Sequence, residues 1–504
     1  MSTIVKNPLF YADLPDIDVL RVDDTFYMVS TTMHMSPGAP ILKSKDLKNW
    51  EIVSYLFDIT SDNAKATLQN GQNMYGQNQW ATCLGKHDDY FYAACSCGNI
   101  DQTLIFTTDD IEKSNWNVVR INQLMHDPSI IFDGDTPYIL SGCGEIRIVE
   151  LEKDLSGIKE GGVDRILLST QKEGISLRCE GVHAYKKDGY YYLMFIEWPF
   201  GSEECAGRRR VVCYRSNGLL GEYERKVLFD DNMGYYNKGI AQGALFDTPS
   251  GDWYSILFQD HDAVGRIPHL LPVKWEGGWP VIGVDGKTPQ VLEVPFDECK
   301  TSFIVCDDEF SYEKNELIKQ WQWNHNPDND SWSVTERPGY LRLKTVGLTN
   351  CVLSARNTLT QRTVGPKFEV TVAIETEGMK DGDYAGIVAL QSRFGTVGVK
   401  KENGKTFITM TVKDGVGGEF VLEQVETEMP RVYLKIFFDF ENSRDIADFY
   451  YSKDGENYSL IGASVKMLYT LDHFMGYRIG LFNYATIENG GYVDFDFFRV
   501  NVIE

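Results

Sequence analysis

Apolar residues along this chain alternate with polar ones in short runs and seldom recur every three or four positions. Segments such as VDDTFYMV and GYLRLKTV place Tyr, Phe, Val, Leu or Met on alternate sides of an extended backbone, and periodicity near 3.6 is rare. The pattern predicts a nearly all-β protein. Within the first 270 residues one arrangement returns five times, an acidic or glycine turn leading into an aromatic strand. The copies are VDDTFYMV around Tyr27, HDDYFYAA around Tyr92, DGDTPYIL around Tyr138, KDGYYYLM around Tyr192 and SGDWYSIL around Tyr254. Asp-Gly and related turns ahead of aromatic and β-branched residues are hairpin signals. Each copy runs on into a further strand, as in PILKSKDLKNWE and RVVCYRSNGLLGEYE.

Spacings of 46 to 65 residues between copies are too uneven for a solenoid and suit propeller blades with inserted loops. The count is five. After the proline-containing stretch VLEVPFDECKTSF the blade motif stops, and from CDDEFSY onward strands such as FEVTVAIE, YAGIVALQ and RVYLKIFFDF alternate with turn signals. That spacing predicts a β-sandwich of concanavalin or jelly-roll type over 299–504, following a propeller over 1–298. NELIKQWQWNHNPDNDSW, polar and Trp-rich, reads as a long surface loop.

A length of 504 residues fits two such domains. With 43% hydrophobic and 24% charged residues, the balance is that of a globular protein. Net charge narrows the partners, because −24 repels phosphate backbones and anionic lipid, so nucleic acid and membrane surfaces are not expected. MSTIVKNPLF carries no signal-peptide apolar run and no later segment reaches membrane-span length, which predicts a cytoplasmic location. The ten cysteines, with Cys95 and Cys97 in one strand, read as reduced thiols.

Candidate chemistry follows from the repeat itself. Counting back 11 or 12 residues from each blade's aromatic lands on Asp16, Trp80, Asp127, Glu180 and Gln242. Equivalent positions on five blades surround one axis, so these residues form a ring around one pocket. Three are carboxylic acids. Clustered buried carboxylates resist ionisation and are retained mainly where they perform chemistry.

The segments LPDID, MHDPSI and RCEGVHAY around these acids resemble, in the same order, the three catalytic segments of glycoside hydrolase family 43. GRIPHLLPV resembles the family's fifth blade, and the C-terminal region resembles the sandwich appended to its β-xylosidase and α-L-arabinofuranosidase branches. TTMHMSPG and WQWNHNPD sharpen the likeness, which covers the whole chain. The resemblance implies that Asp16 is the general base activating water, Glu180 the general acid, and Asp127 the modulator and orienter of that acid. Inversion requires base and acid on opposite faces of the sugar with room for water between them. Asp18 is the rival for the base, facing the same side of a strand as Asp16, and Asp13 is a weaker one.

Trp80 offers an apolar wall for a sugar ring. Arg266 in VGRIPH resembles the family arginine that reaches substrate hydroxyls, and His34 in TTMHMSPG is a candidate for the border of the sugar site. Gln242 stands where many family members carry a histidine that holds an axial cation; glutamine is a poor metal ligand, so no catalytic cofactor is expected. Asp308 and Asp494 lie in segments that in related sandwiches share a calcium, and oxygen ligands suit that ion. The chain has no GxSxG, HExxH, Walker loop or CxxC pair.

The expected activity is removal of terminal β-D-xylose or α-L-arabinofuranose from hemicellulose oligosaccharides, with xylose slightly favoured. Expected partners are xylo- or arabinoxylo-oligosaccharides and, at most, further copies of the same chain. Two alternatives stand beside it, an endo-arabinanase of the same family and a carbohydrate-binding propeller without catalysis.

Overall fold

The computed structural model describes residues 2–202, 205–415 and 417–503. Among them there is no α-helix. Five four-stranded antiparallel sheets succeed one another, each built from contiguous sequence. Their first strands, Asp18–Val22, Gln79–His87, Ser129–Asp133, Ile175–Lys187 and Ile240–Asp247, touch in a closed ring and so line the axis of a five-bladed propeller. Thr3–Lys6 pairs with Val291–Val294, tying the two ends of the ring together.

Each blade packs face to face on the next, so a strand such as Thr25–Val29 is buried throughout. This explains why the aromatic strands read as nearly continuous apolar runs. Tyr27, Phe91 and Phe106 fill the space between blades 1 and 2, and Tyr92, Ile130 and Ile139 that between blades 2 and 3. Tyr191 and Tyr214 lie between blades 3 and 4, and Met194, Leu245 and Leu257 between blades 4 and 5. The core between blades 5 and 1, around Phe26 and Phe246, runs on into the sandwich without a break.

The C-terminal region is two packed antiparallel sheets, and one borrows its edge from the propeller. Met35–Ser36 pairs with Gln322–Asn324, which pairs with Leu359–Arg362. The expected surface loop over 315–332 is therefore corrected: Trp321, Trp323, His325 and Asn326 are each at most 5% exposed. The segment is polar because it carries the hydrogen bonds of a domain seam. Gln322 Nε2 donates to Pro37 O (2.7 Å), Asn326 Nδ2 to Ser61 O (2.7 Å), and Met74 N–H to His325 Nε2 (3.0 Å). Buried polar groups need such partners. All ten cysteines are free, and Cys95 and Cys97 share the strand Tyr90–Cys97. No helix among the described residues is long and apolar enough to cross a membrane.

Candidate active site

The backbone is irregular at or just before the inner strand at the same register in all five blades. Asp16, Asp127 and Gln242 have left-handed φ values of 52°, 47° and 59°. Ladder register breaks between Gln79 and Thr82, between Leu177 and His183 on either side of Glu180, and between Ala241 and Gly243. A bulge re-aims a side chain, here toward the axis, and a non-glycine residue in the left-handed region costs about 1–2 kcal/mol. Such strain collects at functional sites. Gly181 takes φ 64° without the strain a side chain would bring, and a Cβ there would lie 2.8 Å from Gln242 Cδ and displace that side chain from the cavity.

The re-aimed residues open on a cavity of about 340 Å³ lined by Asp16, Trp80, His126, Asp127, Glu180, Gln242, Arg209, Phe258 and Arg266. Leu471 and Phe474 of the sandwich complete its wall. Arg266 Nη1 donates to Asp16 Oδ1 at 2.9 Å, with both residues buried, and Nη2 donates to Phe474 O at 3.1 Å. Its backbone N–H donates to Asp13 Oδ1 (2.7 Å) while Gly476 N–H donates to Asp13 Oδ2 (2.9 Å). The arginine facing the candidate base is thus fixed from both domains.

Asp127 Oδ2 accepts Gly181 N–H at 3.1 Å. Burial, with Glu180 and Asp16 adding to it, pushes the Asp127 carboxyl up to about 6 against the pull of His126 and of Gly181 N–H. His126 Nε2 lies 3.1 Å from Glu180 Oε2 and 3.4 Å from Asp127 Oδ2. Burial opposes a charge on this imidazole, but the Glu180 hydrogen bond and the surrounding carboxylates outweigh it and raise His126 to about 9. Two cationic groups, His126 and Arg266, contact the three carboxyl groups directly, and a third, Arg209, lines the cavity paired with Asp260.

Of the sequence candidates, Asp16, Trp80, Asp127, Glu180, Gln242 and Arg266 come together. Asp18 does not: its Oδ2 accepts Leu84 N–H (2.8 Å) and its Oδ1 lies 3.3 Å from His183 Nδ1, both away from this cavity. Asp13 is occupied by its two backbone donors. His34 is a correction. It is fully buried behind the cavity wall, against Tyr75, His325 and His473, and accepts Gly76 N–H on Nδ1 (3.3 Å). Its neighbour Met33 lines the cavity in its place.

The calcium expectation also fails on the donor set. Asp494 is gripped by Arg342 (2.8 and 2.9 Å) and Arg337 (3.0 Å). Asp308 accepts from Tyr312 Oη, Trp321 Nε1 (2.8 Å) and Phe310 N–H (2.8 Å). Neither carboxylate has the free oxygens that a shared cation would need. In the cavity His126, Asp127 and Glu180 bring one ligand atom each within 4.8 Å of one another. A cation held there would have to displace the proton that these carboxylates keep on His126.

Sequence reasoning missed His126, Arg209 and Phe474. The first was legible, standing beside Asp127 in MHDPSI. Arg209, paired with Asp260 and 5.2 Å from the Trp198 ring, follows the blade 4 insertion and has no register to mark it. Phe474, in the left-handed region at φ 54°, reaches the site from the other domain.

The glycosyl hydrolases family 43 model matches residues 5–280, and the β-xylosidase C-terminal concanavalin A-like domain model matches 307–501. A β-xylosidase of Formosa agariphila is 31% identical over 98% of this chain and 89% of its own. A non-reducing end α-L-arabinofuranosidase of Bacteroides ovatus is 28% identical over 67% of this chain and 64% of its own. Among solved structures, a bifunctional family 43 and CE protein of Bacteroides eggerthii superposes with TM-score 0.93 at 43% identity over 99% of this chain, which spans 64% of that protein's length. These matches and the shared architecture identify the chain as a glycosidase that belongs to glycoside hydrolase family 43.

Proposed function

We propose that this enzyme removes a single pentose, β-D-xylose or α-L-arabinofuranose, from the non-reducing end of short hemicellulose oligosaccharides with inversion, and that xylose is preferred. The observation carrying the exo reading is the cavity itself, about 340 Å³ and walled on one side by Phe474 and Leu471 of the sandwich. A groove for a running chain would need both sides open. The relatives named β-xylosidase and α-L-arabinofuranosidase support the substrate class.

In this reading Asp16, oriented by Arg266, takes a proton from water as the water oxygen bonds to the anomeric carbon. The glycosidic bond breaks, its electron pair leaves with the departing oxygen, and Glu180 gives that oxygen a proton. Asp127 orients Glu180 through the shared blade 3 and blade 4 contact at Gly181. Trp80 stacks on the sugar, while Arg266 and Gln242 meet hydroxyls. Only side chains are used, so no cofactor enters.

The test is release of xylose and of arabinose from paired aryl glycosides, with the anomer of the first product read by NMR. The inverted anomer is expected, and a retained one would overturn the mechanism. Glu180→Gln should lower turnover of phenyl xyloside by about 10²–10⁴-fold while sugar binding persists; unchanged turnover would remove Glu180 from the acid role.

A further inference from the structure

An acid that gives up its proton beside two other carboxyl groups creates an electrostatic problem, and the structure holds a group placed to meet it. As the glycosidic bond breaks, Glu180 becomes a carboxylate next to Asp127, with Asp16 across the cavity. Arg266 cannot relieve this, since its guanidinium is committed to Asp16 and to Phe474 O. His126 can. Its Nε2 lies 3.1 Å from Glu180 Oε2 and 3.4 Å from Asp127 Oδ2, and its ring is set edge-on to Trp80 with 5.9 Å between centroids. Its own backbone is fixed as well, because Gly142 N–H donates to His126 O at 2.8 Å.

We propose that His126 is a positioning residue for the general acid: as an imidazolium it donates to Glu180 Oε2, leaving Oε1 to carry the proton toward the leaving oxygen, and it stabilises the carboxylate that forms there. The inference rests on the glycosidase mechanism proposed above and adds a residue to it. One proton moves from Glu180 to the departing oxygen; the imidazolium keeps its own and supplies only charge and direction. A charge-assisted hydrogen bond is stronger than a neutral one, and more so in a site shielded from water.

The groups facing His126 fit that role. Asp127 on its own loop, Glu180 from blade 4 and Asp16 from blade 1 all favour its charged form, consistent with its rise to about 9. Cys143, from the loop after Thr136–Ser141, also faces Glu180, and burial raises its thiol to about 11, so it stays neutral and does not compete. Arg209 and Arg266 line the same cavity but are held by Asp260 and Asp16. His126 itself is partly exposed to the cavity, so replacing it leaves no buried hole.

The experiment compares wild type, His126→Asn and His126→Gln on two xylosides. Phenyl xyloside needs its leaving oxygen protonated, and dinitrophenyl xyloside does not. Both variants should lose about 10²-fold in kcat/KM on the phenyl substrate and less than about threefold on the dinitrophenyl substrate, with KM little changed. Equal losses on both substrates, or no loss on either, would overturn the role of His126 while the glycosidase reading stands. A wild type inactive on every pentoside would instead overturn the reading on which the role rests. Thermal unfolding of both variants guards against a fold defect, and a variant that melts as wild type does yet shows uniform loss counts against the proposal.

Discussion

Asp127→Asn should make the protein more stable and nearly inactive. The carboxyl is 8% exposed, and its environment raises it from 3.8 to about 6. At 1.36 kcal/mol per pH unit, that rise means the ionised carboxylate costs the folded state about 3 kcal/mol above pH 6. The sign follows from the direction of the shift. The folded protein holds this proton more tightly than the unfolded chain, so wild-type stability falls as pH rises from about 4 to about 6 and is level beyond. An amide carries no charge to desolvate, and its oxygen can still accept Gly181 N–H, now at 3.1 Å. The attraction of His126, 3.4 Å away, is already contained in that rise, and what opposes the gain is the amide NH2, a donor set beside the imidazolium donor. The net gain expected at pH 8 is therefore about 1–3 kcal/mol, shrinking to nothing near pH 4. Unfolding of wild type and D127N followed from pH 4 to pH 8 reads this out, alongside kcat, which should fall about 10²-fold or more. A less stable D127N at pH 8, or a difference that does not vary with pH, would refute the reasoning.

Two further outcomes follow from the seam between the domains. Asp13→Ala strips the acceptor from Arg266 N–H and Gly476 N–H, both buried, and should cost about 1–3 kcal/mol for each donor left unpaired. Thermal unfolding measures the loss, and kcat/KM should drop with it because Arg266 and Phe474 shift; D13N, which keeps one oxygen, should lose less. The buried histidines set the acid side of stability. Burial holds His325 down to about 3 and His269 to about 4, and His34 and His473 well below the usual range. Their neutral forms contribute fully above the unfolded value near 6.5 and lose that contribution as pH falls toward 4. His325→Gln should flatten the decline by up to about 1.4 kcal/mol per pH unit, measured by urea unfolding between pH 6.5 and 4.

The sequence by itself determined the all-β class, the five blades and most of the ring of residues around the axis. These are local or repeated properties. Period-two alternation and Asp-Gly turns act over a few residues, and a propeller copies one register onto every blade, so Asp16, Trp80, Asp127, Glu180 and Gln242 could be placed around one axis without knowing a single long-range contact. Strand parity alone leaves Asp16 and Asp18 on the same side and only the family resemblance favours Asp16; the structure separates the two, with Asp16 in a left-handed turn on the cavity and Asp18 bound to Leu84 N–H away from it. His126 was in plain view and was passed over for its neighbour.

What only the tertiary structure decided lies in the seam. Met35–Ser36 finds Gln322–Asn324 and Arg266 finds Phe474 across roughly half the chain, and no periodicity records such a pairing. The polar, Trp-rich stretch looked solvated because hydrogen-bonding capacity reads the same whether water or another domain satisfies it. His34 faced the same ambiguity and resolved as a buried member of that seam. The wall that narrows an open ring into a one-sided cavity comes from the second domain, so the shape of the candidate site is a property of packing between domains.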